Sequence, residues 1–344
     1  MSYSIVIANR LNWIDWAKTL AILSVVFGHI PENNGSFFIN YIVQFHMPLF
    51  FFISGYLTKK EFISISTLKK YWHTLIIPYL CYNILFYPYW IVRHVIDFPD
   101  SGWFDFIKPF IGTILLQFKT PISDDLNGVT WFIGALLLMK IILSICNKYK
   151  YGMIAMSLLV FIIASIYIVN EHYRLYTALP FVGFIRCLPF FYLGYVCKHK
   201  HIISEKPKQK DIYICIVGIT ISMITYTFER ANPGLIIYGL CFWIICIFAI
   251  EGVLSLCKLL DSVHLTIIEN ISIGTIVIMG LHWILIGVTN YTLSKLLHIP
   301  NIVYPLWIAI LLTFLFAAIL YPIILLFRDK YPFMLGKQLK ATQR

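Results

Sequence analysis

Lys18 and His29 lie eleven positions apart in one apolar segment, with Asp15 three residues before the lysine. On a helix that spacing turns through about 1100°, leaving the two side chains about 20° apart on one face and about 16 Å apart along the axis. Asp15 shares the face. The stripe puts a base near one end of a buried helix and an ion pair near the other, which suits a site handling charge on both sides of a membrane.

His29, His46, Lys140, Arg186, Glu251 and His282 fall within apolar runs. Ionisable groups in a bilayer are costly and mark sites by default. A neutral imidazole at His29 can take a proton from a hydroxyl at physiological pH; an interfacial histidine bonded to a neighbour is the structural alternative. His46 and His282 read as packing or acceptor contacts. Arg186 offers a planar guanidinium to a carboxylate, a phosphate or a developing oxyanion, or to a structural pair with Glu251. The lysine clusters 59–60, 69–70 and 198–210 could hold the phosphates of a cytosolic cofactor, although loop lysines mostly set orientation.

The elements that must position these groups are membrane helices. The apolar fraction is 60% against 12% charged residues over 344 positions, and mean hydropathy is +0.80, which excludes a soluble domain. Apolar runs near the roughly 20 residues needed to cross hydrocarbon recur along the chain. They predict spans near 17–31, 41–57, 72–92, 130–147, 151–170, 179–197, 211–228, 235–257, 271–293 and 302–327. The expected fold is therefore an all-α integral membrane bundle of about ten transmembrane helices, with kinked helices around a central cavity. With the N- and C-termini cytoplasmic, 19 of the 27 basic residues fall on the inner side, as the positive-inside rule requires. The run 104–118, broken by Lys108, Pro109 and Gly112, is expected to be re-entrant or interfacial.

The chain reads as one membrane domain over 1–344, its core about 10–328, with a short basic cytoplasmic tail at 329–344. No internal repeat is visible. Pro48, Pro78, Pro189 and Pro322 can kink their spans. The eight cysteines lack zinc-site or disulfide spacing and are expected as buried thiols, with no metal. The first segment lacks a small-residue cleavage site and is expected to stay as an anchor. The +11 net charge is explained by loops beside spans, so no nucleic-acid partner is expected.

The order of these elements resembles the acyltransferase 3 family of integral membrane proteins over nearly the whole chain. The motifs that carry it are Ile14-Asp15-Trp16-Ala17-Lys18 through Gly28-His29; Phe45-His46-Met47-Pro48 through Ser54-Gly55-Tyr56; Ile77-Pro78-Tyr79; Trp131-Phe132; and Leu188-Pro189-Phe190-Phe191-Tyr192-Leu193-Gly194. Lysine at the basic position and the His-Met-Pro motif are most similar to the fucose 4-O-acetylase and nodulation-type sugar O-acetyltransferase branch. Many family members carry arginine where Lys18 stands, and the family's fused esterase-like domain is not expected here.

The resemblance implies transfer of an acyl group, usually acetyl from acetyl-CoA, to a sugar hydroxyl of a surface polysaccharide or its lipid-linked precursor, in a bacterial plasma membrane. His29 would be the base and Arg186 an oxyanion or acceptor contact. Asp15, Lys18, Lys69 and Lys70 would face the donor, with Asp15 orienting Lys18, while His46, Trp131, His282 and Glu251 would line the acceptor cavity. Implied partners are membrane lipid and the carbohydrate acceptor, and a homo-oligomer is compatible with this class. Direct transfer and an acyl-histidine both remain open. Trp103, Phe104 and Phe106 fit an interfacial belt better than a sugar platform. The reading from a different class is a transporter or flippase for a polar or lipid-linked solute, which would turn over no thioester.

Overall fold

The structure, a computed structural model, describes residues 10–31, 37–117, 120, 122–173, 182–204, 207–232 and 238–337. The polar 32–35 stretch, Lys119, Arg174, Lys206, the first residues of the expected spans at 179 and 235, and the tail from 338 lie outside the described residues.

In hydrocarbon each backbone N–H and C=O must find its partner within its own segment, so the apolar runs fold as helices. In chain order these are α1 (Asn12–His29), α2 (Phe37–Tyr56), α3 (Ile65–Tyr71), α4 (Ile77–Asp97), α5 (Lys108–Ile114), α6 (Trp131–Lys148), α7 (Gly152–Tyr173), α8 (Val182–His199), α9 (Lys210–Ala231), α10 (Tyr238–Leu259), α11 (Thr266–Ile273), α12 (Thr275–Leu297) and α13 (Leu306–Lys330). Among the described residues, eight helical units are long and apolar enough to cross a membrane: α2, α3 continued into α4, α6, α7, α9, α10, α12 and α13. The other two expected spans, α1 and α8, are helices of 18 residues each. Their polar side chains, Asp15, Lys18 and His29 in one and Arg186 and Lys198 in the other, keep them out of that set.

The third span is longer than the expected 72–92, because α3 runs through a π turn at Trp72–Ile76 directly into α4. Pro78 explains the widened turn. It has no N–H to give the carbonyl four residues back, at Thr74, and the helix relaxes around that missing bond. The ninth span is also resolved differently, since α11 ends at Ile273 and α12 begins after Gly274 rather than running unbroken from 271. The run 104–118 forms a 3₁₀ turn at Trp103–Phe106 and then α5. At seven residues α5 reaches about 10 Å, far short of a bilayer.

Buried α1 lies at the centre, packed by α2, α10, α11, α12 and α13. Ala17 and Ala21, both fully buried, keep its sides slim enough for this crowding. Pro31 ends the helix. It pushes Ile30 into an extended conformation, φ −76° and ψ 124°, and its carbonyl accepts from the Tyr304 N–H at 2.9 Å, leaving His29 as the last helical residue.

α2 and α8 cross through a reciprocal pair of glycines. A Cβ on Gly55 would stand 1.9 Å from the Phe191 carbonyl oxygen, and one on Gly194 would stand 2.0 Å from that of Phe52. Only hydrogen fits at either point. The two motifs that hold these glycines are thus one contact seen from its two sides, and the same pair of helices brings Gln44 of α2 to Arg186 of α8.

Candidate active site

The polar groups along α1 gather at its two ends. At the first end Asp15, 6% exposed, is held bidentately by Arg10, with Nε to Oδ2 at 2.5 Å and Nη2 to Oδ1 at 2.8 Å. The Ser272 hydroxyl donates to Oδ1 at 2.6 Å, and Arg10 Nη1 reaches Glu269 Oε1 at 2.8 Å. Lys18 Nζ donates to the Ser272 carbonyl at 2.5 Å. Asp15 therefore pairs with Arg10 and not with Lys18 as expected from the helical spacing. The planar guanidinium fork matches both carboxylate oxygens, which an ammonium one turn away does not. Beside this cluster Arg328 Nη1 donates to Asn270 Oδ1 at 2.7 Å. Of three ammonium donors on Lys18, one is committed to Ser272.

At the other end His29 meets His282 of α12. His282 Nε2 lies 3.1 Å from His29 Nδ1, and the ring centroids are 5.0 Å apart. His29 Nδ1 also lies 2.8 Å from the Val25 carbonyl oxygen, and Trp283 presents its edge to the His29 ring at 5.5 Å. His282 is fully buried, with Nδ1 2.8 Å from the Ile278 and 3.0 Å from the Met279 carbonyl oxygens.

His46, also buried, anchors Nδ1 at 3.1 Å from the Ile42 carbonyl oxygen and lies within electrostatic reach of both His29 and Arg186. Arg186 stacks over the Phe242 ring, 4.3 Å from its centroid, while Nη2 donates to Gln44 Oε1 at 2.9 Å. Its Nε is buried without a hydrogen-bond partner. A buried donor left unmet is costly, and it suits a site where an oxygen arrives with a ligand.

A polar wall stands behind the histidines. Asn127 Nδ2 donates to the Gly280 carbonyl at 3.0 Å, two residues before His282 in α12. Thr130 Oγ1 donates to the Asn127 carbonyl at 2.8 Å, and Asn83 Nδ2 donates to Thr130 Oγ1 at 3.1 Å. Gln117 closes the wall with Nε2 to Asn83 Oδ1 at 2.8 Å, while the Leu126 N–H donates to Gln117 Oε1 at 2.9 Å. The segment after α5 is thereby fastened to α4 and α12, beside the imidazoles.

The structure thus brings His29, His46 and His282 together, with Arg186 beside them, and gathers Lys18 and Asp15 at the opposite end. Other expected residues lie elsewhere. Glu251 is exposed on α10 and Arg186 bonds Gln44 in place of it. Lys70 forms an ion pair with Glu61, and Lys69 is exposed beside it on α3. Trp131 packs against Phe51 and the backbone of Gly183. Arg10, Ser272, Gln44, Asn127 and Trp283 escaped the reading of the sequence. Gln44 did carry a signal, being an amide in an apolar span two residues before His46.

Among the described residues no cluster of three or more His, Cys, Asp or Glu could hold a metal ion. A bundle of apolar helices, with paired charges towards one end of its central helix and imidazoles at the other, defines a multi-pass membrane protein. The profile of the acyltransferase domain matches residues 11–333, and the chain belongs to that family. It is similar to the Nodulation protein NolL of Mesorhizobium japonicum, with 27% identity over 154 residues that cover 41% of this chain and 37% of that protein. The match therefore spans little more than a third of that curated relative. No solved structure matches the chain.

Proposed function

We propose that this acyltransferase moves acetyl from cytosolic acetyl-CoA to a hydroxyl of a surface carbohydrate or its lipid-linked precursor, across a bacterial plasma membrane. The bundle has ten spans with both termini cytosolic in this reading, so Lys18 faces the cytosol and His29 the outer half. The observation that carries the proposal is the placement of Lys18 and His29 on one central helix, with His29 in its last turn and Lys18 about 16 Å back along the axis, beside the Asp15 cluster. An extended pantetheine arm can cover that distance.

Lys18 keeps two ammonium donors for donor phosphates beyond its bond to Ser272. His29 takes the proton of the acceptor hydroxyl as its oxygen bonds to the thioester carbonyl carbon. Arg186 steadies the oxyanion with its unpartnered Nε, and His29 returns the proton to the departing thiolate as the carbon–sulfur bond breaks. Ester and free thiol result, and the enzyme is unchanged.

Purified protein in liposomes, given acetyl-labelled acetyl-CoA and a membrane glycan extract, is expected to label carbohydrate. The His29→Ala variant is expected to lose about 10²- to 10⁴-fold of that rate, the usual worth of a general base. Wild-type transfer by a folded His29→Ala protein removes His29 from the mechanism. Failure of the wild type to consume the thioester with any acceptor favours the transporter reading.

A further inference from the structure

We infer that His282 is a positioning residue: it fixes the proton of His29 on Nδ1, so that His29 meets the acceptor hydroxyl with the lone pair of Nε2. The inference rests on His29 being the base. It adds a function for a buried ring on α12 that the transfer step itself does not require.

A neutral imidazole has one N–H and one lone pair, and the surroundings of each nitrogen decide which is where. His282 Nδ1 faces two backbone carbonyl oxygens, of Ile278 at 2.8 Å and Met279 at 3.0 Å. Carbonyls only accept. The His282 proton is therefore on Nδ1, and its Nε2 carries the lone pair. That lone pair points at His29 Nδ1 across 3.1 Å, so in this contact His29 must be the donor. The Val25 carbonyl oxygen, 2.8 Å from the same Nδ1, makes the same demand independently.

With the proton on Nε2 instead, His29 Nδ1 would set a lone pair against two other lone pairs, those of Val25 and of His282. Both contacts would turn repulsive. Ring rotation is restrained too, because Trp283 meets the His29 ring edge-on with an interplanar angle of 87°. Successive residues of α12, His282 and Trp283, thus set the proton position and the plane of His29.

The arrangement acts through the whole transfer. When Nε2 accepts the hydroxyl proton, His29 becomes an imidazolium whose second N–H already donates to Val25 and His282, and these bonds strengthen as the ring gains charge. No ring flip or proton relocation is needed before Nε2 releases that proton to the thiolate. The bonds broken are O–H and C–S, and those formed are C–O and S–H. His282 keeps its own proton throughout.

The direct test is ¹⁵N solid-state NMR of histidine-labelled protein in lipid, with the His29 signals assigned by difference against His29→Ala. The expected wild-type spectrum has a protonated, pyrrole-type Nδ1 and a bare, pyridine-type Nε2 for His29. A proton on His29 Nε2 overturns the inference. In labelled-acetyl assays His282→Phe is expected to lower kcat about 10- to 100-fold, the range for removing a partner that orients a functional histidine, with donor and acceptor KM little changed. His282→Gln, whose Oε1 can accept from Nδ1, is expected to recover most of the loss. Equal kcat in the Phe variant and the wild type overturns the inference, as does equal loss in the Phe and Gln variants. Should His282→Phe not fold, His282→Leu takes its place in the same comparison with His282→Gln, and the wild-type spectrum still overturns the inference if the proton is on Nε2. The base reading fails separately, by full activity of His29→Ala.

Discussion

The two ends of α1 are built on opposite principles. At the Asp15 end the carboxylates are held through charge, with Arg10 binding Asp15 by two bonds and Glu269 by a third, while Lys18 bonds a backbone carbonyl. At the His29 end the imidazoles bond to the carbonyls of their own helices and to one another. Charge pairing gives position at the first end, whereas hydrogen-bond direction leaves a usable lone pair at the second. A carboxylate bonded to His29 would bind the ring more tightly and make its proton harder to return. The sequence positions also suit the helix ends, since the macrodipole favours the Asp15 carboxylate in the first turn and, in the last, the imidazolium that His29 becomes on taking a proton.

Breaking the comparison at its chemical end should have the largest effect. His29→Ala is expected to lose 10²- to 10⁴-fold in transfer rate, about 3 to 5 kcal/mol of barrier, while thermal unfolding in detergent stays near wild type. A parallel collapse of stability would show that the two ends share one structural role. Next comes Asp15→Asn, which keeps the shape and removes the charge that Arg10 pairs with. Breaking a buried pair from one side costs about 3 to 5 kcal/mol, and Arg10's remaining bond to Glu269 places this one near 3. Calorimetry or thermal unfolding measures it, and an unchanged midpoint would show that the cluster does not hold α1 against α11. The smallest effect belongs to Lys18→Met, which should raise the donor KM about tenfold, the ~1.4 kcal/mol of one hydrogen bond to a charged group. Lys18→Arg should restore the donor KM; equal KM values in all three proteins would take Lys18 out of donor binding.

The helices were legible because lipid allows so few alternatives. An apolar run in hydrocarbon folds as a helix, and the Lys18–His29 stripe follows from the helical period. What escaped depends on chain that is local in space but remote in sequence. His282 is 253 positions from His29 and no spacing rule connects them. Arg10 precedes the helix by two residues, so the helical rule pairing Asp15 with Lys18 did not describe it. Glu251 had the right depth for a site residue, yet hydropathy alone says nothing about which side of α10 it occupies. The π turn before Pro78 was hidden because a proline signals a kink but not how the backbone absorbs it.

The mutual glycine contact of Gly55 and Gly194 also has a consequence for biosynthesis. α2 leaves the ribosome early, but the backbone surface that Gly55 must meet is made about 140 residues later, and the ring that orients His29 later still. The early helices must therefore wait in the translocon or in lipid with their mating surfaces open. A truncated chain ending before α8 carries His29 and His46 but lacks Arg186, His282 and the backbone that Gly55 meets, so a prematurely released fragment holds half of the site with nothing to close around it.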